Sequence, residues 1–201
     1  MKARRKSPVE NSATRDVLID ATEQLIREEG YAAISSRRIG ARAGVNAPLI
    51  HYYFNTIDDL FLAVFRRIAD EGIRHLEAAL ASEQPLTALW AHAKNPTLAK
   101  LTVEFMALAN HRSAIRAEIA QYALAARSLQ IEGIARYLRS RAIDPVIPIA
   151  SVPALMTSVS FLLTLETSMG ISVGHAETKA VMESCLRSLE GSGPLFIGSP
   201  A

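Results

Sequence analysis

Apolar residues return every three or four positions along almost the whole 201-residue chain, and no stretch sustains the alternation of a half-buried strand. That period predicts an all-α protein of about nine helices. The first is expected over roughly 13–29, with Leu18, Ala21, Thr22, Leu25 and Ile26 on one stripe and Gly30 as a left-handed residue ending it. A second, about 36–43, takes Ser35 or Ser36 as its cap and turns at Gly44. A third, seven residues long, takes Asn46 as its N-cap and places Pro48 in its first turn. Thr56 caps the fourth, with Asp59 at the capping-box position. Longer helices follow near 57–82, 86–94, 97–110, 113–141, 151–171 and 176–190, separated at Pro85, Asn95-Pro96, "NHRS", "DPVIP" and "SVGH". The expected organisation is a three-helix domain with a basic arm over 1–56, a larger helical bundle over 57–190, and a Gly/Ser/Pro-rich flexible tail over 191–201.

Composition narrows the function classes. The hydrophobic fraction of 49% supplies an ample core, and the lone cysteine, Cys185, excludes an internal disulfide and suits a reducing cytoplasm. The basic, polar N-terminus has no apolar run behind it, so no signal peptide is expected. The stretch 152–171 has the length of a membrane span. It carries Pro153 and Glu166 and lacks basic anchors, which makes it core or subunit interface rather than a lipid helix. The histidines at 75, 92, 111 and 175 lack metal-ligand spacing; His92 with His111 across two helices is weighed as a metal pair and set aside. No nucleophile–base set and no phosphate loop occur, so neither metal, cofactor nor enzymatic activity is expected.

The charge distribution is more informative than the net charge of +2. Residues 1–54 hold nine Lys/Arg against six Asp/Glu; the rest hold thirteen against fourteen. Between Tyr31 and Phe54 there are three arginines and no acid. A cationic front on a neutral body suits a phosphate-bearing partner. Within it lies "GVNAPLIHYYF", residues 44–54. At about 100° per residue, Ile50 and Phe54 face inward, Pro48, Leu49, His51 and Tyr52 face outward, and Tyr53 sits on the flank. Two short helices joined by a glycine turn, the second polar outside, describe a helix-turn-helix whose second helix enters the DNA major groove.

The run "TRDVLIDATEQLIREEGYAAISSRRIGARAGVNAPLIHYYFNTIDDLF", about residues 14–62, resembles the DNA-binding domain of the tetracycline-repressor (TetR) family. The matching positions are Gly30-Tyr31, Ser35-Ser36, Ile39-Gly40, Ala43-Gly44-Val45, Asn46 and His51-Tyr52-Tyr53-Phe54. The resemblance implies that Ser36 and Arg37 touch phosphate, with Arg37 also reaching a base. It implies that Asn46, Ala47, Pro48 and Leu49 face bases, and that His51, Tyr52 and Tyr53 grip phosphates. Arg4, Arg5 and Lys6 form an arm of the kind that enters a neighbouring groove; a basic tail without a specific role is the competing reading. Two positions depart from the family pattern: Ile57 replaces the usual lysine, removing one phosphate contact, and Gly40 replaces a small alanine. The largely apolar Ala47-Pro48-Leu49 suits thymine-methyl contacts, which gives Arg37 a larger share in specificity.

The same resemblance implies that the bundle holds a small effector and makes a homodimer through about 151–171 and 176–190. Large or soft side chains at mid-helix are the candidate pocket lining: Phe65, Trp90, Phe105, Met106, Tyr122, Met156, Phe161 and Met169. Plain core packing is the alternative for each. Glu104, Asn110, Gln121 and Glu166 are candidate polar handles, and Arg38 and Arg42 are expected to be solvated or generally electrostatic. The implied protein is a dimeric, cytoplasmic transcriptional regulator, most simply a repressor released from a near-palindromic duplex operator by a small molecule. Two alternatives stay open: the same fold controlled by a protein partner without an inducer, and a helical enzyme or carrier.

Overall fold

The computed structural model describes residues 8–145 and 147–191, with side chains from Ser12 onward. Arg4, Arg5 and Lys6 and the tail from 192 lie outside the described residues. Among those described there is no strand, and nine α-helices follow one another: α1 (Pro8–Glu29), α2 (Ser36–Ala43), α3 (Pro48–Tyr53), α4 (Ile57–Leu80), α5 (Pro85–Ala93), α6 (Pro96–Ala109), α7 (Ser113–Ser140), α8 (Ser151–Ser168) and α9 (His175–Leu189). One 3-10 turn, Tyr31–Ala33, separates α1 from α2. No helix among the described residues is long and apolar enough to cross a membrane. The chain divides into two units, one of residues 1–69 and 104–119, the other of 70–103 and 120–201.

In the first unit, the apolar stripe of α1 buries Leu18, Leu25 and Ile26 in a core that also holds Ile39, Ile50, Leu60 and Val64. Thr22 is buried on the same stripe and satisfies its hydroxyl by donating to the Leu18 carbonyl, 2.8 Å away. Phe65 of α4 and Phe105 of α6 are both buried, their rings tilted at a centroid distance of 5.3 Å. Ion pairs fasten the outside: Arg67 to Asp20 and Glu23, Arg66 to Glu118, and Arg112 to Asp58.

The helix ends show where local chemistry decides. Gly30 closes α1, donating its N–H to the Ile26 carbonyl at 3.0 Å, but its backbone (φ 80°, ψ 163°) is not the left-handed helical cap expected. It occupies the region open to glycine alone, because the chain leaves α1 extended rather than curling back. The Glu104 carboxylate then accepts from the Tyr31 N–H at 2.8 Å. Ser35 caps α2, accepting from the Arg38 N–H at 3.4 Å, and Gly44 ends it in the left-handed conformation, φ 67°. At the start of α4, Thr56 and Asp59 form a reciprocal capping box: the Asp59 carboxylate accepts from the Thr56 N–H at 2.9 Å, and the Thr56 hydroxyl accepts from the Asp59 N–H at 3.1 Å.

The second unit is built on one apolar cluster to which α4, α5, α7, α8 and α9 all contribute, including Leu76, Leu86, Leu89, Trp90, Ile134, Leu138, Met156 and Leu186. Glu190, 5% exposed, directly follows α9 and takes the orphan donors at the start of α5: the Leu86 N–H at 2.6 Å, the Thr87 N–H at 3.2 Å and the Thr87 hydroxyl at 2.7 Å. A buried carboxylate is tolerable there because three donors and the positive end of a helix dipole replace water. The Trp90 indole N–H, by contrast, is buried with no hydrogen-bond partner among the described residues.

His92 on α5 stacks on His75 of α4 at a centroid distance of 5.4 Å, rather than pairing with His111, which is exposed. The Glu71 carbonyl can only accept, so the His75 Nδ1 that meets it at 2.9 Å carries a proton. Burial, and secondarily the neighbouring His75, holds His92 below the ordinary 6.5. The unfolded chain therefore takes up this proton at a higher pH than the folded one. Stability is expected to be full above 6.5 and to fall as pH drops through and below it, and His92→Gln should flatten that fall. Urea midpoints measured from pH 7.5 downward check this; a midpoint falling equally in both proteins would refute it.

Candidate nucleic-acid interface

The α2–turn–α3 segment is compact because Gly40 is buried beneath it. A Cβ at Gly40 would lie 2.8 Å from the Val45 carbonyl oxygen and 3.2 Å from the Ala47 nitrogen, both backbone atoms. Helix α3 begins differently from expectation. Ala47, not Asn46, is the cap residue, and its backbone is already helical (φ −50°, ψ −40°) with no side-chain cap. A side-chain cap needs an extended residue whose oxygen can swing back over the first turn. Here Pro48 at the first position supplies no N–H to satisfy, and the Asn46 carbonyl accepts from the Leu49 N–H at 2.9 Å. The Asn46 side chain is thus left exposed.

Six residues form α3, one fewer than expected, because Phe54 leaves it in extended conformation (φ −135°, ψ 121°). Ile50 is fully buried and Phe54 is 4% exposed, while Pro48, His51 and Tyr52 are exposed, Tyr52 to 69%. Ala47, Leu49 and Tyr53 are half-buried at the margin. Tyr52 and Tyr53 meet edge to face at a centroid distance of 5.1 Å, which holds the two rings side by side at one end of the exposed face.

On α2, Ser36 is half-buried and Arg37 exposed. The two arginines expected to be solvated or generally electrostatic are exposed, and each is also paired with an acid. Arg38 pairs with Glu29 and donates to the Ala33 carbonyl, and Arg42 pairs with Glu28 at 2.6 Å. The acids concerned end α1, and a linear reading of the acid-free stretch 31–54 misses them. The Arg42 hydrogen bond holds the Glu28 carboxyl below the usual carboxylate range. Arg37 is the α2 arginine left without a protein acceptor among the described residues.

The expected pocket residues do not all share one environment. Phe65 and Phe105 pack on each other in the first unit; Trp90 and Met156 lie in the core of the second with Tyr122 against it; Phe161 is half-buried. Met106 and Met169 are corrected outright: they lie on the outside of the chain, 46% and 60% exposed. Both helices are apolar around most of their circumference, so spacing alone does not mark the inward face. Of the polar handles, Glu104 is engaged by the Tyr31 N–H and Glu166 by His175 Nε2 at 2.8 Å, whereas Asn110 and Gln121 are exposed. No group of three or more metal-ligating side chains occurs among the described residues.

Known proteins share both the motif and the architecture. Residues 18–64 match the sequence profile of bacterial regulatory proteins of the tetR family. The HTH-type transcriptional regulator BetI of Rhizobium meliloti (strain 1021) is 28% identical over 134 residues, 63% of this chain; the match spans 61% of that regulator's length. Among solved structures, a protein from Saccharomonospora viridis in complex with choline superposes with a TM-score of 0.73 at 16% identity, covering 88% of this chain and 95% of that one. The transcriptional regulator FadR from Bacillus subtilis, in complex with stearoyl-CoA, superposes with a TM-score of 0.63 at 17% identity, over 89% and 99%. These two likenesses concern the fold. Residues 18–64 thus carry the DNA-binding helix-turn-helix of the bacterial regulatory proteins of the tetR family, and the chain as a whole shares the fold of these solved regulators.

Proposed function

We propose that the protein is a sequence-specific DNA-binding regulator of transcription, acting as a homodimer and released from its operator by a small molecule. One observation carries the reading: α3 buries Ile50 and presents Pro48, His51 and Tyr52 to solvent, so its outer face is free to enter a groove. Arg37 and Ser36 at the start of α2, with Asn46, Ala47, Leu49 and Tyr53 around α3, complete the contact set. Rings and hydroxyls of this kind reach phosphates with little loss of side-chain entropy. The arm Arg4-Arg5-Lys6 extends the same set toward a neighbouring groove.

Dimerisation is supported by α8 and α9. Leu155, Leu162 and Met169 follow one another at seven-residue intervals and are about half exposed or more, and Val181 on α9 is 60% exposed. Large apolar side chains repeated along one stripe lose solvent contact when a second copy covers them. The effector is taken up in the second unit near Trp90, Tyr122, Met156 and Phe161. The Trp90 indole N–H supplies a buried donor for an acceptor on the ligand. Related folds hold ligands as different as choline and stearoyl-CoA, so the fold itself leaves ligand chemistry open. Preferring the released state by about 1–3 kcal/mol is enough to weaken DNA binding roughly 5- to 150-fold.

Selection of bound fragments from a random duplex pool tests the reading. The expected product is a near-palindrome with half-site centres about 10–10.5 base pairs apart, or a multiple of that. Absence of any enrichment at low salt would remove the proposal.

A further inference from the structure

The first unit contains nine arginines among its described residues. Six of them, Arg27, Arg38, Arg42, Arg66, Arg67 and Arg112, are tied to carboxylates, and Arg116 donates to the carbonyls of Ala109 and Asn110. Two remain without a carboxylate or carbonyl acceptor among the described residues: Arg37 and Arg15. Arg37 belongs to the family's contact pattern. Arg15, on α1, is not among the contacts the resemblance implies, and linear reading assigns it no role.

Its position gives it one. The Arg15 guanidinium lies over the ring of Phe54, 5.1 Å from the centroid, while the residue itself is exposed. Phe54 is the C-terminal cap of α3 and is buried, so its ring is a fixed platform. A ring face attracts a guanidinium without using any of its five N–H donors. The cation is therefore held in place against the end of the recognition helix with its hydrogen-bonding edge unspent. A carboxylate in the same place would have neutralised it, as happens to Arg38 and Arg42.

We propose that Arg15 is a phosphate-binding residue, positioned by Phe54 and gripping the duplex backbone at the C-terminal end of α3 while Arg37 does so from α2. The proposal rests on the DNA-binding reading and adds to it a contact from α1. A phosphate contact carries no sequence information, so its loss weakens every duplex alike.

The test is the salt dependence of binding to a mixed-sequence duplex, measured between roughly 50 and 200 mM salt for wild type, Arg15→Ala, Arg15→Lys and Tyr52→Ala. Each phosphate contact contributes about 0.9 to the slope of log affinity against log salt, so Arg15→Ala in a dimer should lower it by about 1.8. Arg15→Lys should retain most of the slope, because it keeps the charge. Thermal unfolding separates contact from packing: a melting temperature lowered in Arg15→Ala with an unchanged slope would overturn the proposal, as would an unchanged slope alone. Wild-type protein that binds no duplex at low salt would instead refute the DNA-binding reading itself. A slope lost in Tyr52→Ala but kept in Arg15→Ala would refute only the role of Arg15.

Discussion

Trp90→Ala is expected to destabilise the protein by about 3–5 kcal/mol, the range for deleting a large buried aromatic. Trp90 is 1% exposed and belongs to the cluster to which five helices contribute, so neighbouring side chains have little freedom to fill the space. Trp90→Phe separates packing from polarity. The indole N–H is buried without a hydrogen bond, which itself costs about 1–3 kcal/mol. Glu183 lies close enough for the indole to help hold its carboxyl below the usual range. The main cause, however, is Lys94, bonded to it at 2.6 Å, and the indole remains outside hydrogen-bonding geometry. Removing that donor offsets much of the lost ring volume, so Trp90→Phe should fall within about 1 kcal/mol of wild type. Chemical denaturation of both variants checks the pair; a phenylalanine variant as unstable as the alanine one would show that the indole N–H is satisfied after all.

The second large effect concerns α3. Ile50→Ala should cost about 2–5 kcal/mol and abolish binding to all duplexes, because a six-residue helix has no stability apart from the core its inner residue reaches. Tyr52→Ala should leave stability within about 0.5 kcal/mol, since the side chain is 69% exposed. It should nevertheless weaken DNA binding by about 1.5–3 kcal/mol per subunit, the worth of a hydrogen bond to a charged group. Denaturation and gel-shift titration together read both. The two variants change opposite faces of one short helix, and their contrast isolates its outward face. Unchanged binding in Tyr52→Ala would mean that this face does not meet phosphate.

Much of this was legible in the sequence because it depends on residues near one another in the chain. Helical period gave the all-α class, Thr56 and Asp59 gave the capping box, and the alternation of Ile50 and Phe54 with His51 and Tyr52 gave the orientation of α3. The errors lie where distant residues or backbone geometry decide. Asn46 has the chemistry of a cap, but the helical conformation of Ala47 removes the opportunity. Arg38 and Arg42 are exposed as expected, but their pairing with Glu29 and Glu28 of α1 is invisible in an acid-free stretch. Glu104 reads as a ligand handle and is occupied 73 residues away by the Tyr31 N–H. Met106 and Met169 sit on helices apolar nearly all round, where no period distinguishes inside from outside. Arg15 carries no local signal at all; only the fold brings it over Phe54.

The clasp between Glu190 and the start of α5 has a consequence for biosynthesis. Its partners are separated by 104 residues for Leu86 and 103 for Thr87. Translation proceeds at about 5–20 residues per second, so the nascent α5 waits on the order of 5–20 seconds with its leading amides uncapped. During that interval Leu86, Leu89 and Trp90 have no α9 to lie against. A ribosome stalled before residue 190 should therefore hold a chain whose first helices can form while the cluster around Trp90 stays open to chaperones and proteases.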